Sequence, residues 1–260
     1  MDQMKVNAIL SALEAQGIPQ IIISDPVVIF YLTGAKIQPG ERLLALYLNR
    51  QGGHKLLVND LFRQTRDLGV EICYYNDIQD GVEILSSFAD PNAPIAIDKN
   101  WPARFLLRLQ ELGCGSRYVN SSDIVDGVRR KKTPEEQDKM RAASRGNDAV
   151  MAKLVKLLSE DHTELELKEL LLKVYQSEGF QNFSFEPITA FAGNAADPHH
   201  RPDGSRGHYG DGVVLDIGGL MDDYCSDMTR TVFLGTVSDR QREIYEIVRE
   251  ANRRGIAAAK

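Results

Sequence analysis

Two aspartates stand within segments whose residue pattern is otherwise typical of buried strands. Asp216 lies in VVLDI (213–217) and Asp227 in YCSDMTRTVFL (224–234), and the turn between them is predicted at 220–223. A hairpin centred on that turn makes the two aspartates cross-strand partners on one face, with Cβ atoms roughly 5 Å apart. The sequence therefore predicts a small site that two carboxylates share.

Two like charges that face each other destabilise a sheet, and an unpaired buried carboxylate either costs several kcal/mol or becomes protonated. A divalent cation removes both problems because hard cations prefer carboxylate oxygens, and a shared proton is the second possibility. An equally weighted interpretation leaves one or both acids facing solvent or paired with Arg230. Asp222 and Asp223 are interpreted as ordinary turn acids.

Three of the five histidines, His199, His200 and His208, cluster in the segment ADPHHRPDGSRGHYGDG. Pro198 and Pro202 stiffen this segment, which leads into the aspartate hairpin. A stiff loop at this point could hold an imidazole over a bound cation. The alternative is that these are solvent-facing loop histidines, and the pattern favours that alternative for each of them taken singly.

Length and composition argue against several classes of protein. The 260 residues are 43% hydrophobic with a net charge of -6, so the chain can bury a sizeable core, and nucleic acid is not an expected partner. The N-terminus is not typical of a signal peptide and no apolar run approaches the roughly 20 residues that span a bilayer, so we expect no membrane association. Three widely spaced cysteines without CxxC pairs predict reduced thiols and a cytoplasmic location.

The chain divides into two predicted domains, 1–128 and 129–260. The first alternates strand and helix signals, which is typical of an α/β layered domain with a largely buried sheet. Its predicted strands cover 20–24, 42–49, 54–59, 71–75 and 94–98, and its predicted helices cover the first residues up to Gly17, 80–88 and 102–112.

The second domain begins near the tetrapeptide Thr133-Pro134-Glu135-Glu136, which combines an N-cap threonine, a proline at the first helical position and a glutamate three residues after the cap. Its helices are predicted at 134–159, at 163–178 and from Ser238 to Lys260, and its strands at 183–193 and 212–235.

The run 191–235, FAGNAADPHHRPDGSRGHYGDGVVLDIGGLMDDYCSDMTRTVFLG, resembles the pita-bread metallopeptidases and, more narrowly, the Xaa-Pro dipeptidases (prolidases) and Xaa-Pro aminopeptidases. The signature consists of GDxVxxDxG around Asp216, YxSDMTRT around Asp227, and PH seventeen residues before Asp216. DPVVIFYLTG (25–34) and KKTPEEQDKMRAAS (131–144) resemble the N-terminal domain and the domain junction of those enzymes. The implied fold is a creatinase/prolidase-type α/β N-terminal domain, a mixed sheet with flanking helices, followed by the first half of an α+β pita-bread catalytic domain.

Residue by residue, the resemblance implies that Asp216 is a terminal metal ligand and that Asp227 is the carboxylate bridging two metals. His199, rather than His200, matches the family's histidine that contacts the substrate and helps to stabilise the transition state. The family's cofactors are two divalent ions, usually manganese or cobalt and sometimes zinc, and a hydroxide that bridges them attacks the amide carbon of an Xaa-Pro bond. The implied activity is a proline-specific metallopeptidase, either a dipeptidase or an aminopeptidase acting on a proline-containing peptide, and the implied assembly is a homodimer.

The sequence departs from the family pattern in its ligand set. The family's site uses five protein ligands, of which Asp216 and Asp227 are here, and nothing in 1–190 resembles the HxxGH-type histidine and two glutamates that complete it. We therefore expect weak or no metal binding and little activity from this chain alone, and we interpret it as the N-terminal portion of a longer enzyme. Two other classes stay open: a non-catalytic binding or assembly module with the same fold, and a metal-free creatinase-like amidinohydrolase, against which the two retained aspartates speak.

Overall fold

The computed structural model describes residues 1–159 and 161–259. The chain divides into two compact units, Met1–Lys131 and Lys132–Lys260. We call them the N-terminal and C-terminal units, and each has its own hydrophobic core. Among the described residues, no helix is both long enough and apolar enough to cross a membrane.

The N-terminal unit is built on one six-stranded mixed sheet with the strand order β4-β3-β2-β1-β5-β6. Strands β1, β5 and β6 are parallel, as are β3 and β4, while β2 is antiparallel to both of its neighbours. The predicted α/β domain with a mixed sheet and flanking helices is confirmed. Its helices are α1 (Gln3–Glu14), α2 (Pro26–Thr33), α3 (Gly81–Ser86), α4 (Ala103–Glu111) and α5 (Ser122–Arg130), and its strands are β1 (Gln20–Ile23), β2 (Ala45–Asn49), β3 (Lys55–Asn59), β4 (Glu71–Tyr75), β5 (Pro94–Ile97) and β6 (Arg117–Asn120).

Strand β1 shows why this sheet needs continuous apolar runs. Ile21 and Ile23 belong to one core cluster and Ile22 to another, and all three are fully buried. Side chains alternate across a strand, so a sheet that is covered on both faces buries every residue of a central strand.

The sequence reasoning missed α2, α5 and β6. Helix α2 is capped by Asp25, starts with Pro26 and ends at Gly34, whose φ of 71° closes the last turn in the left-handed region. Its interior is apolar all round, so it lacks the helical periodicity on which the sequence prediction depended.

The C-terminal unit packs two long helices against short antiparallel strands. The region 183–193, where strands are predicted, holds two strands, and 212–235 holds four, arranged in two three-stranded sheets with the orders β12-β9-β8 and β11-β10-β7. Its helices are α6 (Pro134–Leu157), α7 (Glu164–Ser177) and α8 (Asp239–Ala258), and its strands are β7 (Asn182–Phe183), β8 (Ile188–Phe191), β9 (Gly212–Ile217), β10 (Gly219–Met221), β11 (Tyr224–Cys225) and β12 (Met228–Phe233).

All three helices of this unit begin with a complete capping box, as their sequences indicate. In α6 the Thr133 hydroxyl accepts from Glu136 N at 3.3 Å, and the Glu136 carboxylate accepts from Thr133 N at 2.9 Å. The same reciprocal pair joins Thr163 to Glu166. Each box satisfies backbone donors that the first helical turn leaves unpaired.

Candidate metal and substrate site

The two faces of β9 have different environments. Leu215 and Ile217 are fully buried in the core that α6 and α7 form, whereas Val214 and Asp216 lie on the opposite, half-buried face. The strand pattern therefore places Asp216 away from the core rather than inside it. Part of the carboxylate stays hydrated, which lowers the cost of its charge.

The hairpin register differs from the predicted one by two residues. Thr229 lies opposite Asp216, and its hydroxyl donates a hydrogen bond to Asp216 Oδ1 at 2.7 Å. When the same register is continued, Asp227 comes level with Gly218, so Asp216 and Asp227 are diagonal neighbours rather than direct partners. Diagonal neighbours on one face are roughly 7–8 Å apart at Cα, with the Cβ atoms somewhat closer. The predicted direct opposition was wrong.

Asp227 is exposed and lies in the short gap between β11 and β12. Across the hairpin, a Cβ added to Gly218 would lie 2.2 Å from Ser226 O and 2.3 Å from Ser184 Oγ. Glycine is therefore required at position 218, because neighbouring segments of the backbone approach it so closely. Burial first, and then the negative charge of Asp227, raise the pKa of Tyr175.

The segment that carries the histidines leaves β8 through a 3₁₀ turn at Ala192–Ala196. Asp197 Oδ1 accepts a hydrogen bond from His199 N at 2.9 Å, which sets the course of the chain beyond the turn. The His199 side chain is exposed, and His208 is 81% exposed with Nδ1 3.5 Å from Asp211 Oδ2.

The aspartate hairpin and this loop meet at a hollow of about 320 Å³ on the open face of β8, β9 and β12. Its polar lining residues are Asp197, Asp216 and Thr229. The rest of the lining is apolar, from Ile188, Ala190, Ala195, Ala196, Pro198 and Val214. Such a hollow suits a small apolar group held beside carboxylate oxygens.

The oxygen atoms around Asp216 suit a single hard cation, because its carboxylate faces the open hollow on one side of the sheet. The hydrogen bond from Thr229 orients one oxygen of Asp216 and leaves the other available. Within 1–159 and 161–259, the one group of three metal-ligating side chains lies elsewhere, at Glu164, His200 and Asp203. Asp216 and Asp227 would supply two carboxylates to such a site, and water or further ligands would have to complete it.

Sequence reasoning missed Glu164, which is fully buried and has His200 Nε2 2.6 Å from Oε2. A signal for it was present. Glu164 falls on the same helical face as the fully buried Leu167, Leu171 and Tyr175, a spacing that places an acid in the core. The capping box explains why this signal was missed. Glu166 completes the box, and Glu164 looks in the sequence like an ordinary acidic residue of the first helical turn.

Comparison with known proteins agrees with this architecture. Residues 138–260 match metallopeptidase family M24, and residues 5–131 match the creatinase/prolidase N-terminal domain. An uncharacterized peptidase of Staphylococcus aureus (strain MRSA252) is 28% identical over 264 residues, covering 98% of this chain and 73% of that protein.

Solved structures of a prolidase and a dipeptidase superpose on nearly the whole of this chain. A recombinant prolidase from Thermococcus sibiricus superposes with a TM-score of 0.89 at 26% identity, over 96% of this chain and 71% of its own. A dipeptidase from Pyrococcus horikoshii OT3 superposes with a TM-score of 0.85 at 29% identity, over 95% of this chain and 70% of its own.

The fold and these matches define a two-domain, prolidase-like protein of the pita-bread class. The chain combines a creatinase/prolidase N-terminal domain at 5–131 with a metallopeptidase family M24 domain at 138–260.

Proposed function

We propose that this protein is a proline-specific metallopeptidase that hydrolyses Xaa-Pro dipeptides or removes the N-terminal residue before proline. The observation that supports it most strongly is the convergence of Asp216, Thr229 and the Asp197–Pro198 loop on one small hollow. The solved relatives described above, a prolidase and a dipeptidase, support a short peptide as the substrate class.

In this proposal Asp216 and Asp227 hold the divalent metal, and Thr229 fixes the orientation of the Asp216 carboxylate through its hydrogen bond. A divalent cation supplies Lewis-acid polarisation of the scissile carbonyl. His199 contacts the peptide from the loop, and the apolar lining of the hollow takes a small side chain and excludes water around it.

The two aspartates account for part of the family's ligand set, so we propose that this chain alone binds one cation weakly and turns over little or no peptide. Manganese or cobalt is the proposed metal of the complete site. The proposed setting is a cytoplasmic homodimer. Light scattering of the purified chain tests the dimer.

The activity is tested in the full-length product of the gene, assayed on an Xaa-Pro dipeptide and on a longer Xaa-Pro peptide with added Mn²⁺. Asp227→Asn is expected to abolish turnover, because the amide keeps the size of the side chain but loses the charge that holds a cation. Asp222→Asn is the matched control, because Asp222 lies in the hairpin turn with a φ of 48° that asparagine also tolerates.

Unchanged turnover in Asp227→Asn would contradict the site assignment. Absence of both turnover and Mn²⁺ binding in the full-length protein would favour the non-catalytic module. Metal-independent hydrolysis of creatine would favour the amidinohydrolase.

A further inference from the structure

Glu164 is a fully buried carboxylate that accepts four hydrogen bonds. Oε1 accepts from Phe191 N at 2.9 Å and from Asn194 Nδ2 at 3.1 Å. Oε2 accepts from Asp203 N at 3.1 Å and lies 2.6 Å from His200 Nε2. An ionised carboxylate can only accept, so His200 Nε2 carries the hydrogen in this contact when Glu164 is ionised.

The four donors lie along one segment, 191–203, and include both of its ends. The middle of the segment carries Asp197 and Pro198, which line the hollow at Asp216, and then His199. One buried side chain thus closes this segment into a loop.

Backbone hydrogen bonds at the start of α7 also hold the end of this loop in place. Leu165 N donates to Asp203 O at 3.1 Å, and Glu164 N donates to Ser205 O at 3.0 Å. On the strand that enters the loop, the Thr189 hydroxyl donates to Glu164 O at 2.9 Å. Glu164 also lies in the first turn of α7, where the helix N-terminus favours a negative charge.

The ligand atoms of Glu164, His200 and Asp203 lie within 4.8 Å of one another, a spacing that a metal ion could also use. Two of the four donors to Glu164 are backbone N–H groups, which cannot ligate a metal and would lose their acceptor if a cation took their place. Asp203 Oδ1 in turn accepts from Ser205 N at 2.7 Å. The cluster therefore acts as a hydrogen-bonded clamp.

We propose that Glu164, together with His200, is a positioning residue that clamps the loop 191–203 and so sets the place of Asp197, Pro198 and His199 at the Asp216 hollow. This inference rests on the proposed function for the role of His199. It assigns no contact between Glu164 and the substrate, because Glu164 acts through the loop.

Amide hydrogen exchange measured by NMR on Glu164→Gln tests the clamp directly. Glutamine keeps the size of the side chain but places an NH₂ group where an oxygen now accepts, so at least one donor loses its partner. We expect the amides of 191–203 to exchange roughly tenfold faster or more, the effect of losing a hydrogen bond to a charged group. Amides of Val213 and Leu215 in β9 should keep their protection.

Glu166→Gln is the matched control, because it changes the neighbouring glutamate while glutamine retains the capping box of α7. His200→Ala is the second test if Glu164→Gln does not fold, because His200 contributes one of the four donors and its side chain is 13% exposed. Unchanged exchange in the loop, or an equal loss of protection in loop and β9, would overturn the positioning role.

In the full-length protein, Glu164→Gln should lower kcat for an Xaa-Pro dipeptide at least tenfold with a smaller change in KM, since the loop would no longer place His199 for the reaction. A loss of kcat no larger than that of Glu166→Gln would contradict the positioning role. Failure of the clamp is distinguishable from failure of the proposed function, because Asp227→Asn tests the metal site without touching the loop.

Discussion

At the scale of single residues, the roles of Asp216 and Glu164 are distinguished by their hydrogen-bond partners rather than by their positions in the sequence. Asp216 receives one hydroxyl and faces a hollow, so it has oxygen lone pairs left for a ligand. Each carboxylate oxygen of Glu164 already has two hydrogen-bond partners, so no lone pair is left for a ligand. The motif around Asp216 could be read from the sequence, whereas the partners of Glu164 could not, because three of its four donors lie at least 30 residues away in the chain.

Asp98 is a buried acid of the N-terminal unit that makes stability depend on pH. Its Oδ2 accepts from Ser24 N and Asp25 N at 2.8 Å each, while its Oδ1 is buried without a partner. Burial first, and to a smaller degree the charge of Asp25, raise the pKa of Asp98 to about 6. The folded state therefore holds a proton that the unfolded chain has already lost between roughly pH 4 and pH 6.

We expect the free energy of unfolding of the wild type to rise by about 1 kcal/mol relative to Asp98→Asn as the pH is lowered from 7 to 5. The stabilisation is complete below the unfolded pKa of Asp98 and is lost as the pH rises through the folded pKa. Denaturant titrations of both proteins at several pH values provide the measurement. The lowered pKa of His54 acts in the opposite direction over this range, but it is common to both proteins and cancels in the difference. Parallel pH profiles would contradict this role of Asp98.

At the scale of elements, the sequence predicted most helix starts and most strands, but the hairpin register depended on backbone conformation. The prediction treated 220–223 as a four-residue turn, whereas the structure uses a two-residue turn at Asp222 and Asp223, whose φ values are 48° and 67°. Aspartate tolerates this left-handed conformation, so the pair can form a turn with positive φ at both central positions. The centre of the hairpin therefore lies one residue further along the chain than predicted, which shifts every cross-strand partner by two residues.

Gly218 should be indispensable to the hairpin. Gly218→Ala places a Cβ 2.2 Å from Ser226 O, so the two chains must separate near Asp227. We expect a loss of about 1–3 kcal/mol in the free energy of unfolding of the C-terminal unit, as for other overpacked sites. Gly255→Ala is a control of opposite sign, because Gly255 lies within α8 with nothing within 4 Å of an added Cβ and alanine favours a helix. Equal stability of Gly218→Ala and the wild type in chemical denaturation would contradict the close approach.

At the scale of the whole chain, helix α8 is stabilised differently from the rest of the two units. The cores of the units bury their helices and strands, whereas no residue of α8 is buried. The helix is stabilised by its capping box, by ion pairs such as Arg240–Glu243, and by a hydrogen bond from Gln241 Nε2 to Gly210 O at 2.8 Å in the turn before β9. Ile247 and Val248 are about 60% exposed on its surface.

We therefore expect the amides of α8 to exchange at least tenfold faster than those of α6, because an isolated helix is marginal without tertiary packing. Hydrogen exchange followed by mass spectrometry measures both helices in one sample. Protection of α8 equal to that of α6 would contradict the expectation, and it would indicate that another chain covers the exposed face in solution.

We propose that Asp216 and Asp227 together hold a divalent cation, and Mn²⁺ titration by calorimetry tests this proposal most directly. We predict weak binding of one ion to the wild type, at least a tenfold loss of affinity in Asp216→Asn and in Asp227→Asn, and no change in Asp222→Asn. Thr229→Val should weaken binding less than either aspartate change, with Thr231→Val on the same strand as its control. Equal Mn²⁺ affinity in the wild type and in both aspartate variants would contradict the account.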